Sequence, residues 1–149
     1  AAAEAAADEA ARLGIKRPYV TAVTVLTSLS PAMLDEELGV RRTMEEQVLF
    51  WSELSLKAGL DGVVCSPHEV IPVRQALGSR CQLVTPGIRP SWSQADDQQR
   101  IMTPSQAVQA GSDVLVVGRP ITRSKSPRDA AERILREMEE AMHDQPVKR

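Results

Sequence analysis

One grammar recurs four times along this chain, and it restricts the possible folds more than any other feature. A short apolar, β-branched run leads through a polar turn into a helix that opens on a hydroxyl residue. The runs are Tyr19 to Thr27 (YVTAVTVLT), Asp61 to Cys65 (DGVVC), Gln82 to Thr85 and Asp113 to Val117 (DVLVV). The helix starts are Thr43 with Glu46, Ser66-Pro67-His68-Glu69, Thr103-Pro104-Ser105-Gln106 and Ser126-Pro127-Arg128-Asp129. A Ser or Thr at such a start accepts a bond from a first-turn N–H, and an acid or amide three residues on returns one. Proline fits there because its missing N–H would have no helical partner anyway. Near-continuous apolar runs indicate strands covered on both faces, as in parallel sheets. Strand–helix alternation then implies right-handed crossovers and parallel strands, whose following loops gather at one end. We therefore expect four βα units, with a first helix from Thr43 to Ala58 closed by Gly59 and a last one ending near Met142.

Ahead of these units, the Ala-rich stretch Ala1 to Leu13, followed by Gly14, predicts helix with a glycine C-cap. It has acids and no apolar core, so it is no signal peptide, and it reads as the back end of a helix. The chain is expected to start in mid-fold. Its 149 residues suit a single domain, 1–149, and 42% hydrophobic with 26% charged residues excludes a disordered chain. No apolar run approaches the roughly 20 residues that span a bilayer. An isoelectric point near 5.7 without a basic block argues against a nucleic-acid partner. Cys65 and Cys81 fall at opposite ends of neighbouring strands, so free thiols in a reducing, cytoplasmic setting are expected. His68 and His143 stand alone, and no metal site is expected.

Two parallel architectures remain. A doubly wound sheet would place a Gly-rich turn after its first strand, where Thr27-Ser28-Leu29-Ser30-Pro31 stands instead. The Gly-bearing ends follow the last two strands, where β/α barrels commonly bind phosphate. There lie LVTPGIRP (Leu83 to Pro90), Asp97-Gln98-Gln99-Arg100 and VVGRPIT (Val116 to Thr122). Arg89 and Arg119 offer two guanidinium forks, Gly118 an approachable backbone N–H and Gln98 an amide, which together suit a phosphate. From spacing alone, two Gly/Pro turns carrying surface arginines explain the pattern equally well.

These segments, with AVTVLTS (Ala22 to Ser28), GLDGVVCS (Gly59 to Ser66) and RIMTP (Arg100 to Pro104), resemble the orotidine 5'-phosphate decarboxylase family across essentially the whole chain. The resemblance implies an eight-stranded (β/α)8 TIM barrel of which this chain is the carboxyl-terminal half, strands five to eight. It implies conversion of orotidine monophosphate to uridine monophosphate and CO2 in pyrimidine synthesis, by a homodimer without metal or organic cofactor. By position, Gly118, Arg119 and Arg89 match phosphate ligands, and Gln98 matches an amide that bridges phosphate and pyrimidine. Thr27 matches a hydroxyl at the pyrimidine edge, and Pro86 a residue packed near the base. For Thr27, a hydroxyl capping the next turn is an equally good reading of the sequence.

One departure is larger than these matches. The family's catalytic Lys/Asp array lies mostly in a D-x-K-x-x-D segment, and none exists here: Lys16, Lys57, Lys125 and Lys148 all lack that pattern. No catalytic residue is therefore assigned to this chain, and a missing amino-terminal half is its expected partner. Two other readings stay open: a non-catalytic phosphate-binding half-barrel module, and another phosphosugar lyase of the same barrel superfamily. The polar loop from Pro90 to Arg100 is a candidate lid over the phosphate, and Trp92 within it a candidate surface anchor.

Overall fold

The computed structural model describes residues 2–93 and 101–143. In chain order it contains α1 (Ala2–Leu13), β1 (Thr21–Val23), α2 (Met44–Lys57), β2 (Gly62–Val64), α3 (Val70–Leu77), β3 (Gln82–Thr85), α4 (Pro104–Ala110), β4 (Val114–Leu115), α5 (Arg119–Thr122) and α6 (Pro127–His143). The four strands form one parallel sheet in sequence order, with Ala22 opposite Val63, Val63 opposite Leu83 and Val84 opposite Val114. This is the winding of half a β/α barrel, as expected.

The helix starts form as the sequence requires. Thr43 with Glu46, Ser66 with Glu69 and Thr103 with Gln106 all make reciprocal capping boxes. The second of these opens a 3-10 turn, Pro67–Glu69, that runs into α3. α1 ends at Leu13 with Gly14 behind it.

Along β3 burial alternates, with Leu83 and Thr85 buried and Gln82 and Val84 half-buried. Val63, Cys65, Leu83 and Val25 turn toward the helices and pack with Val48 of α2 and Val70, Val73 and Leu77 of α3 in one core cluster. Cys65 and Cys81 are free and buried. Burial pushes the Cys65 thiol up to about 12, so it packs as a small hydrophobe rather than a thiolate.

Two aspartates lock the amino-terminal end of the sheet with the same device. Asp61, just before β2, accepts from the Val20 N–H (2.7 Å) and from Arg17 (2.7 and 2.9 Å). Asp113, just before β4, accepts from the Leu83 N–H (2.7 Å) and from Arg74. Arg74 also donates to the carbonyls of Gly78, Cys81 and Gly111. Each carboxylate thus ties the start of its own strand to the start of the preceding one.

The strands are shorter than the apolar runs. The run Tyr19 to Thr27 is strand only over Thr21–Val23, and Asp113 to Val117 only over Val114–Leu115. The expectation of cover on both faces also fails: Val23 is 60% exposed and Val116 48%. The helices cover one face, and four strands do not close around the other. Val23, Val64, Val84 and Val114 share one register row on that open face.

Candidate phosphate and base-edge site

Parallel winding places the loops after β1, β2, β3 and β4 at one end of the sheet, opposite the Asp61 and Asp113 locks. Thr27 and Pro86 meet there. Both are half-buried and line one recess of about 70 Å³, together with Val23, Val25, Leu26, Val64 and Cys65. The recess is apolar apart from the Thr27 hydroxyl, which suits the edge of a flat ring with few polar atoms.

Beyond Pro86 the chain turns at Gly87, whose φ of +81° a side chain would disfavour. Ile88 then forms a parallel bridge with Met102, and the Arg89 N–H donates to the Met102 carbonyl at 2.9 Å. This strap fixes the backbone of Arg89. Arg89 as a whole is only 6% exposed, and its Nη1 donates to the Ile88 carbonyl at 2.9 Å. A guanidinium at this depth is costly unless acceptors face it.

The loop after β4 is built differently. Gly118 precedes α5, and a Cβ placed on it would meet nothing within 4 Å. The missing side chain keeps open space against the backbone there. Arg119 opens α5 and is half-buried, with Pro120 buried behind it. Thr85 pairs with Leu115, and Arg89 and Arg119 each lie four residues beyond that pair. The two cations therefore lie at the same sequence distance beyond a paired position, on loops that leave adjoining strands.

Gln98 lies outside the described residues, as does most of the candidate lid, of which Pro90 to Ser93 is described. Sequence reasoning missed α5 as a helix, although Pro120 after Arg119 is the same start sign used elsewhere. It also missed the short turn Met33–Glu37, capped where Ser30 Oγ accepts from the Met33 N–H at 3.2 Å. The Ser30-Pro31 pair was the available signal. Among the described residues, no three His, Cys, Asp or Glu side chains gather as a metal-ligand set, and no helix is long and apolar enough to cross a membrane.

Comparison with known proteins adds a second line of observation. The family model described as "Orotidine 5'-phosphate decarboxylase / HUMPS family" matches residues 1–134. Orotidine 5'-phosphate decarboxylase of Syntrophomonas wolfei is 46% identical over 134 residues, 89% of this chain and 56% of its own length. That of Gluconobacter oxydans is 54% identical over 127 residues, 85% of this chain and 53% of its own length. The crystal structure of the Lactobacillus acidophilus enzyme superposes with a TM-score of 0.72 at 41% identity, covering 84% of this chain and 51% of that one. The chain spans about half the length of these relatives.

Proposed function

Because the chain belongs to the orotidine 5'-phosphate decarboxylase / HUMPS family, we propose that it is the phosphate- and base-edge-binding half of an orotidine 5'-phosphate decarboxylase. Its strands β1 to β4 correspond to the fifth to eighth of the barrel, within a single domain. The reaction removes CO2 from carbon 6 of orotidine monophosphate and yields uridine monophosphate. The amino-terminal half supplies the lysines and aspartates that act at carbon 6. The complete barrel works in the cytoplasm as a homodimer, without metal or organic cofactor.

The observation that carries this reading is that Arg89 and Arg119 each lie four residues beyond the Thr85–Leu115 pair, on loops at the end of the sheet where Thr27 and Pro86 line one recess. Arg89, Arg119, the Gly118 N–H and Gln98 hold the phosphate through charge-assisted hydrogen bonds. Thr27 faces the pyrimidine edge, and Pro86 packs by the base. None of these groups moves a proton. Phosphate is remote from carbon 6, so its binding energy serves catalysis by orienting the base against the array of the other half. The decarboxylase names of the similar proteins from Syntrophomonas and Gluconobacter favour this reaction over another phosphosugar lyase.

The test is complementation. The chain is assayed for decarboxylation of orotidine monophosphate alone and together with an amino-terminal half carrying a D-x-K-x-x-D segment. Activity is expected only in the combination. Uridine monophosphate binding without activity in any combination would instead support the non-catalytic binding module.

A further inference from the structure

Trp92 lies three residues beyond Arg89, on the turn that leaves β3. Its ring lies beneath Arg133 of α6, whose guanidinium carbon is 4.9 Å from the ring centroid. Its Nε1–H is buried and has no hydrogen-bond partner among the described residues. The indole is therefore held by its ring face and its apolar area, not by its polar corner. Around it the turn is closed: Pro90 is fully buried, and the Ser93 N–H and Oγ donate to the Pro90 carbonyl at 2.9 and 3.0 Å. On the Arg89 side, the Met102 carbonyl holds the backbone N–H. α6 also packs on α4, which follows the Met102 strap, and on α5, which opens at Arg119. One helix thus braces the loops of both arginines.

We propose that Trp92 is a positioning residue for Arg89: clamped beneath Arg133, it fixes the turn so that the guanidinium is already placed when a nucleotide phosphate arrives. This rests on the reading of Arg89 as a phosphate ligand. Affinity is gained when a charged side chain does not have to be ordered during binding. The effect is specific to the phosphate, because neither Thr27 nor Pro86 hangs on this turn.

The test measures the affinities of uridine monophosphate and uridine for the complete barrel, and takes their ratio as the contribution of the phosphate. Trp92→Ala is expected to lower that ratio about threefold, the scale of a lost cation–π contact to an exposed cation, with uridine affinity unchanged. KM for orotidine monophosphate then rises more than kcat falls. Trp92→Phe keeps a ring face, discards an unsatisfied donor, and is expected to restore most of the ratio. Arg133→Met is expected to fall between the two, and serves if Trp92→Ala does not fold. Arg89→Ala separates the two layers of the argument. If it collapses the ratio while Trp92→Ala and Arg133→Met leave it intact, the positioning role is overturned. If Arg89→Ala itself leaves the ratio intact, the phosphate reading fails and takes the proposal with it. Equal weakening of nucleoside and nucleotide by Trp92→Ala would mean a merely structural role, and overturns the proposal too.

Discussion

At the scale of single residues, the two ends of the sheet do different work. Asp61 and Asp113 sit at the amino-terminal end, where their hydrogen bonds tie strands together. The Arg17 guanidinium, and then the Val20 N–H, hold the Asp61 carboxyl below the usual carboxylate range. A lowered pKa in the folded state means stabilisation that is complete above the ordinary value and lost as pH falls through the folded one. The melting temperature of the protein should therefore exceed that of Asp61→Asn at neutral pH, with the gap closing below the ordinary carboxylate range. A gap unchanged down to strong acid would contradict this. Both arginines of the candidate site could be named from sequence, because Gly-Arg and Gly-Ile-Arg end apolar runs. The burial of Arg89 could not, since it depends on Met102, thirteen residues away across a strap that no local pattern announces. The contact of Trp92 with Arg133 is equally non-local.

At the scale of elements, helices were more legible than strands. A helix start is written in four adjacent residues, and three capping boxes formed where Thr43, Ser66 and Thr103 stood. Strand length depends on a neighbouring strand, so the apolar run after Tyr19 could not show that the strand ends at Val23. Gly62 shows how closely neighbouring strands set each other. A Cβ added there would land on the Gln82 backbone carbonyl, at the first pair of the β2–β3 register. The clash is with backbone rather than with a flexible side chain, so the two strands would have to part. Gly62→Ala is expected to destabilise by about 1–3 kcal/mol or more, the usual cost of overpacking a tight site. Chemical denaturation reads this directly, and a stability equal to the parent would contradict the strand register.

At the scale of the whole molecule, the described residues cover the sheet on one side only. The row Val23, Val64, Val84 and Val114 lines the open face, and among the described residues β1 and β4 each have an edge with no strand paired to it. Open edges and bare apolar faces invite association, so this architecture calls for further strands to complete it. The half-barrel architecture was legible because repetition of one unit survives errors in each unit's boundaries. What lay beyond sequence was the relation between loops: Thr27 and Pro86 meet in one recess although 59 positions separate them. The central proposal is that the β3 and β4 loops hold one anion between them. The most direct measurement is a double-mutant cycle of Arg89→Ala and Arg119→Ala on uridine monophosphate binding by the complete barrel, with uridine as the reference. Each single change should cost about 2–5 kcal/mol, as truncating one side of a buried charged pair does, with uridine binding unchanged. The double variant should cost clearly less than the sum, because both side chains serve the same phosphate. Strictly additive losses, or losses shared equally by uridine, would contradict the account.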